Sequence, residues 1–333
     1  MQAKAGVVKI RALITGITGF VGSHMAEFLL SKKNEVYGTY RWRSPTENIE
    51  HIRDRINLVN CELLDSKSTF EAIKKARPDV IYHLAAQSYV PVSFEEPSHT
   101  LQANILGTLN VLEAVRSLNI DPVIHVCSSS EVYGQVRPDE VPIKETNPLR
   151  PASPYAVSKV GEDMIAFQYF LSYGMKTIRT RMFTHTGPRR GSVFAESAFA
   201  KQIAEIELGI RKDNIVHVGN LDSVRTFADV RDAVKAYWLL TEKCKPGEVY
   251  NIGGNRTMKV GEMLDYLISI STKKKAIKVK VEPSLLRPSD VTLQIPSIEK
   301  FVKTTGWQPE IPFEKTMKDL LDYWRQTLKQ KKN

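Results

Sequence analysis

A doubly wound α/β fold, with a parallel sheet and a smaller C-terminal region, is what this 333-residue sequence predicts. Three observations predict it. Short apolar runs alternate with helical patterns through the N-terminal half, as crossover connections between parallel strands require. The first run leads straight into a glycine-spaced turn that opens a helix. The run Asp79 to Leu84 is apolar nearly throughout rather than alternating, as strands covered on both faces are.

The elements follow in order. Arg11 to Thr15 reads as the first strand, and Phe20 to Lys32 as an amphipathic helix with Val21, Met25, Phe28 and Leu29 on one face. Glu35 to Tyr40 is the second strand and Asp79 to Leu84 a buried one. Asn104 to Ser117 reads as a helix and Pro122 to Cys127 as a further strand. A long helix starts near Ser153-Pro154, a hydroxyl N-cap followed by proline at the first helical position. Beyond about Gly187 the pattern loosens into helices at Phe199 to Gly209, Val230 to Thr241 and Val260 to Ser271. Pro312 to Lys329 closes the chain as an amphipathic helix bearing Phe313, Met317, Leu320, Leu321 and Trp324. We therefore expect residues 1–186 to form one unit and 187–333 a covering unit that partly interdigitates with it.

Composition narrows the function. Hydrophobic and charged fractions of 42% and 25% are ordinary for a globular protein. No apolar run nears the roughly 18–20 residues that cross a bilayer, and Met1 to Lys9 lacks a leader pattern, so a cytoplasmic protein that engages no membrane is expected. Three cysteines, Cys61, Cys127 and Cys244, are too few and too scattered for a disulfide framework, and no metal-ligand spacing is present. No metal is expected. The net charge of +10, from 47 basic and 37 acidic residues, sits largely in Lys273 to Lys280 and at Lys329, Lys331 and Lys332. Without aromatic interleaving or a recognition motif it implies attraction for anionic ligands rather than nucleic-acid binding.

Thr15-Gly16-Ile17-Thr18-Gly19-Phe20-Val21-Gly22 carries the first chemistry. Glycines admit a tight turn and close backbone approach, and the helix start offers amides and positive potential to a pyrophosphate. At the first strand-to-helix junction this predicts a Rossmann-type dinucleotide site. The second strand ends Thr39-Tyr40-Arg41-Trp42-Arg43-Ser44, with no acid for a ribose 2′-hydroxyl. Arg41 and Arg43 suit a 2′-phosphate, so the cofactor expected is NADP rather than NAD.

Tyr155 and Lys159 lie one helical turn apart, on one face. A tyrosine titrates near 10 in water, so general-base work near neutrality needs the ammonium beside it. The strand end Ser128-Ser129-Ser130-Glu131-Val132-Tyr133-Gly134 falls where ligands meet such sheets. A serine there can bond a substrate hydroxyl. Hydride transfer alone does not need Glu131; a carboxylate at that edge points to a second proton-transfer step.

Together the glycine turn, Leu84-Ala85-Ala86-Gln87, the Ser/Glu strand end and the Tyr155/Lys159 pair resemble the extended short-chain dehydrogenase/reductase family over nearly the whole chain. Within it, four stretches are similar to the GDP-mannose 4,6-dehydratases: Arg41 to Ser44 with Ile49 to Ile52, Ser129-Ser130-Glu131, Pro188 to Gly191, and Val218 to Asp222 with Arg225 and later Arg287 to Asp290. The resemblance implies conversion of a GDP-sugar to its 4-keto-6-deoxy form, with Tyr155, Lys159, Glu131 and Ser129 as the catalytic set. It assigns NADP to Gly16, Thr18, Gly19, Phe20, Val21, Gly22, Arg41, Arg43, Ser44, Glu62, Leu63, Leu84, Ala85, Ala86, Gln87, Ser88, Tyr155, Lys159, His185 and Arg190. It assigns the GDP-sugar to Ser88, Ser130, Thr184, Asn220, Arg225, Arg287 and Asp290. Three positions depart from the pattern: Thr184 replaces an asparagine, Ser129 a threonine, and His99 a tyrosine.

Other readings stay open at this level. A GDP-4-keto-6-deoxymannose reductase shares a Ser/Glu strand end, and a GDP-heptose is an alternative dehydratase substrate. A decarboxylase of nucleotide-linked uronic acids also reads Ser-Glu-Val-Tyr-Gly, although Pro188 to Gly191 speaks against it. A dinucleotide sensor without catalysis would not need Tyr155, Lys159 and Glu131 together. The resemblance further implies a homodimer through the helix of the Tyr/Lys pair, or a homotetramer if the Arg189-Arg190 loop reaches a neighbour's cofactor.

Overall fold

The structure, a computed structural model, describes residues 9–332. The reading of Met1 to Lys9 falls, save Lys9 itself, outside the described residues, as do the side chains of Lys331 and Lys332.

The N-terminal strands and helices alternate as the apolar runs require. They run β1 (Arg11–Thr15), α1 (Phe20–Ser31), β2 (Glu35–Tyr40), β3 (Asn57–Asn60), α2 (Ser66–Ala76) and β4 (Val80–His83). Two short helices, α3 (Val90–Glu95) and α4 (Pro97–Leu101), lead through a π-helical turn at Gln102–Leu106 into α5 (Gly107–Ser117). Then come β5 (Val123–Ser129), α6 (Pro154–Tyr173) and β6 (Thr177–Met182). Ser153 caps α6 by accepting a hydrogen bond from the Ala156 amide at 3.0 Å, and Gly174 ends it at φ 67°.

The remaining elements are β7 (His185–Thr186), α7 (Ala195–Glu207), β8 (Ile215–Val218), β9 (Val224–Asp229), α8 (Val230–Lys243), β10 (Val249–Ile252), β11 (Arg256–Lys259), α9 (Val260–Ser269), β12 (Lys278–Val281), β13 (Leu293–Gln294), α10 (Glu299–Thr305) and α11 (Phe313–Lys332).

Seven parallel strands make the main sheet, in the order β10-β6-β5-β4-β1-β2-β3. The order reverses beside β1, between β2 and β4, which opens a crevice at the carboxyl ends of the strands. Met25 and Leu29 of α1 join Tyr237 and Leu240 of α8 and Phe301 of α10 in one core. Ile73 of α2, Leu112 of α5 and Ala166 of α6 fill a second. The chain thus returns to the first unit at α8, β10 and α10. A third core joins Phe199 and Ile203 of α7 to Met263 and Leu267 of α9 and to Met317, Leu320 and Trp324 of α11, as the amphipathic pattern of the last helix predicts. Two small sheets, β11-β9-β13 with β7 on β9, and β12-β8, accompany it. Among the described residues no helix is long and apolar enough to cross a membrane.

Candidate active site

A cleft of ≈ 1160 Å³ lies along the carboxyl edge of the main sheet and under the third core. A drug-sized pocket holds roughly 300–1,000 Å³, so this one is large enough for a dinucleotide and a sugar nucleotide end to end.

At one end the β1–α1 turn supplies the floor. Gly16 has φ +71° and lies so close to Ala85 that a Cβ would sit 3.0 Å from the Ala85 Cα. A Cβ on Gly22 would overlap the Gly16 carbonyl. The turn is therefore bare backbone at the start of α1, the cradle a pyrophosphate needs. Asn48 donates to the Thr18 carbonyl at 3.0 Å and ties the loop after β2 to it. Arg41 and Ser44 line the cleft there. Arg43 does not: it is exposed, with its guanidinium 4.7 Å over the Trp42 ring. Glu62 and Leu63 line the same end beyond β3, and Leu84 to Ser88 line the middle. The Gln87 side chain donates to Thr100 at 2.9 Å and to the Tyr89 carbonyl, and accepts from the Tyr89 amide, so it holds its own loop.

In the middle, β5 and α6 bring Ser129, Ser130, Glu131, Tyr155 and Lys159 to one wall. The Lys159 ammonium lies 5.9 Å from the Tyr155 ring centre and donates to the Cys127 carbonyl at 2.9 Å and to Glu162 at 2.7 Å. Burial opposes its charge, but Glu162 and Tyr155 outweigh that and hold its pKa above the ordinary value. Burial holds the Tyr155 phenol above its ordinary value, and Lys159 and the Ser129 hydroxyl offset this only in part. Ser129 accepts from the Glu131 amide at 3.2 Å, which leaves its own proton to donate. Burial pushes the Glu131 carboxyl above the usual range, against the opposing pull of Arg225 and Arg287.

The far wall is cationic. Arg225 and Arg287 both face Asp290, at 3.5 and 3.8 Å. The other Asp290 oxygen accepts from Asn220 at 2.8 Å and Ser223 at 2.9 Å. Asn220 and Asp290 thus hold the arginines in place, while the arginines face the cleft. Arg190 is sandwiched between the Phe20 and Phe194 rings, with its Nε buried and unpartnered. His185 stacks on Phe20 with ring centres 5.8 Å apart. Arg189 adopts φ 72° and is held there by Glu27, the Asn48 carbonyl and His24. His24 must donate from Nε2 to the Pro188 carbonyl, leaving Nδ1 to accept from Arg189. Both arginines of this loop are thus engaged within the chain.

The sequence profile of the family described as GDP-mannose 4,6 dehydratase matches residues 13–320. The chain belongs to the GDP-mannose 4,6 dehydratase family. A GDP-mannose 4,6-dehydratase of Yersinia enterocolitica is 34% identical, across 93% of this chain and 92% of that one. A GDP-6-deoxy-D-mannose reductase of Pseudomonas aeruginosa is 30% identical, across 96% and 99%. The solved structure of RMD from Pseudomonas aeruginosa complexed with NADPH superposes with a TM-score of 0.81 at 29% identity, covering 95% of this chain and 99% of that one.

Against the family pattern, Thr184 and His99 both line the cleft despite departing from the usual residues. Three side chains of the site, Asn104, Glu162 and Glu196, carry no motif, and Arg189 of the Pro188 to Gly191 stretch takes an unforeseen part. Asn104, in the π-helical turn, bridges the Gln87 carbonyl at 3.0 Å and Ser158 of α6 at 2.8 Å, with its own oxygen on the Gln87 amide. Glu162 pairs with Lys159, and Arg189 ties the far loop to α1. Glu196 lines the cleft from α7. A 3.6-residue period could have put Glu162 on the face of Lys159; nothing in spacing marks Asn104 or Glu196.

Proposed function

We propose that this chain converts GDP-mannose to GDP-4-keto-6-deoxymannose with loss of water, using bound NADP. The observation that carries the reading is Glu131: a half-buried carboxylate, held above its ordinary pKa, on the same wall as Tyr155 and Lys159. Hydride transfer alone does not require a carboxylate there, although the reductase weighed below shares the Ser/Glu strand end.

The fit to NADP rests on the bare glycine cradle, on Arg41 at the adenosine end, and on the orphaned Nε of Arg190. Held there, NADP would supply the hydride acceptor for sugar C4 and the hydride donor for C6. Tyr155 accepts the proton of the 4-hydroxyl, its phenolate favoured by the Lys159 ammonium. The 4-ketone acidifies the C5 hydrogen, which Glu131 removes. Glu131 then gives that proton to the departing 6-hydroxyl, with Ser129 donating a hydrogen bond. The proton left on Tyr155 balances the addition at C5 as hydride reaches C6. A carboxyl that must act as base and then acid needs a pKa nearer neutrality, which burial supplies. Arg225 and Arg287 suit the diphosphate, and Ser88, Ser130 and Thr184 the sugar.

Residues 1–186 supply most of the cofactor site and the catalytic wall, and 187–333 most of the sugar-nucleotide site; the two interdigitate, with Ser88, Ser130 and Thr184 reaching the sugar, Arg190 reaching the cofactor, and α8, β10 and α10 returning to the first unit. Val157, Met164 and Leu171 recur every seven residues along α6 and are exposed, Leu171 by 65%. That stripe supports a homodimer. The inward hold of Arg189 on Glu27, the Asn48 carbonyl and His24 favours the dimer over the tetramer. Three free cysteines, Cys61, Cys127 and Cys244, suit the reducing cytoplasm.

A second reading, a reductase of the 4-keto-6-deoxy product, is favoured by the Pseudomonas aeruginosa relative, whose length this chain matches almost entirely. Incubation with GDP-mannose separates the two. A dehydratase forms the 4-keto-6-deoxy sugar with no net change in NADPH; a reductase leaves GDP-mannose untouched.

A further inference from the structure

The cleft holds a second carboxylate that these steps do not use. Glu196 stands in the first turn of α7 and lines the cleft, yet only 7% of it is exposed. Among the described residues its carboxylate has no hydrogen-bond donor and no ion pair. Its charge bears on Arg190 on one side and Arg225 on the other. It therefore lies along the far wall, between Arg190, which Tyr155 also approaches, and Arg225.

Anchoring the helix does not account for it. Ser197, the next residue, donates to the Arg190 carbonyl at 2.6 Å and accepts from Trp324 at 2.9 Å, and so secures the start of α7. A negative charge favours a helix start, but a solvated one does so without the cost of burial. A carboxylate that opens onto a ligand cleft and has no donor from the described chain is free to take donors from the ligand. A carboxylate only accepts, so it repels the diphosphate, which the arginines take. Between diphosphate and the reacting C4–C6 edge lie the remaining ring hydroxyls, neutral donors on adjacent carbons that match two carboxylate oxygens.

We infer that Glu196 is a sugar-specificity residue that accepts hydrogen bonds from the hydroxyl pair at C2 and C3 of the bound hexose. The inference rests on the GDP-sugar reading above. A site built to bond a hydroxyl rejects the analogue lacking it, because the buried partner is left unpaired.

The test measures kcat/KM for GDP-mannose and for its 2-deoxy and 3-deoxy counterparts, with wild type, Glu196→Ala and the isosteric Glu196→Gln. Wild type discriminates against at least one deoxy sugar by about 10-fold or more. Glu196→Ala loses about 10- to 100-fold on GDP-mannose and its discrimination collapses, with NADPH affinity unchanged; Glu196→Gln falls between. Undiminished discrimination in both variants overturns the inference, as does a loss confined to NADPH affinity, which would make Glu196 a prop for Arg190. If Glu196→Ala does not fold, Glu196→Gln alone decides. If wild type does not turn over GDP-mannose, the parent reading fails, and titration of the same three GDP-sugars into both proteins still reads the contact.

Discussion

At the scale of single residues, the proposed function assigns the reaction to Glu131 and the cofactor choice to Arg41. Glu131 faces two arginines and is still held above its ordinary pKa by burial. Glu131→Gln keeps the shape and removes the base: turnover should fall by about 10²–10⁴-fold, while NADPH titration by fluorescence stays at the wild-type value. Retained turnover would contradict the role. Arg41→Ala should weaken NADPH binding by about 10-fold or more and leave NADH nearly unchanged, since only the former brings a 2′-phosphate; an equal loss for both would sink the assignment. Motif spacing made Gly16, Gly22, Tyr155 and Lys159 legible in the sequence. It could not separate Arg41 from Arg43, because their difference lies in side-chain path, one into the cleft and the other over Trp42. Asn104 and Glu196 left no trace, being lone polar residues whose partners are far off in sequence.

Helix α6 is the element that must not shift, because it carries both Tyr155 and Lys159. Its register against the sheet is fixed by Asp163, whose two oxygens accept from Arg179 and Arg181 of β6, each at 2.7 Å and all buried. Asp163→Asn leaves two guanidiniums buried against a neutral partner. We expect a loss of about 3 kcal/mol or more in urea unfolding; wild-type stability would refute the clamp. The start of this helix was legible at Ser153-Pro154, and α1 at its glycines, because caps and turns are local chemistry. Strand β3 was not: Asn-Leu-Val-Asn is too short and too polar to announce itself, and it exists because β2 offers it an edge. The return of α8, β10 and α10 to the first core also escapes a linear reading, since no local signal tells which sheet an apolar face will meet.

Acid sensitivity and assembly belong to the whole molecule. Burial holds His24 down at about 4 and His83, His125 and His185 at about 3, against an ordinary 6.5. The unfolded chain therefore takes up protons that the folded one refuses, so stability is complete above pH 6.5 and falls as pH drops from there toward 4. The melting temperature should be clearly lower at about pH 5 than at about pH 7.5; equal values would show that these histidines are not buried neutral. The exposed stripe on α6 predicts a dimer by light scattering at micromolar concentration, and a monomer for Leu171→Glu; an unchanged dimer would place the interface elsewhere. The central claim, that one protein oxidises, dehydrates and reduces the same sugar, is tested most directly by mass. Incubated with GDP-mannose and a trace of NADP, the protein should yield a GDP-sugar lighter by one water, with no net change in NADPH absorbance. Unchanged GDP-mannose, together with stoichiometric NADPH consumption when the 4-keto-6-deoxy sugar is supplied instead, would contradict it.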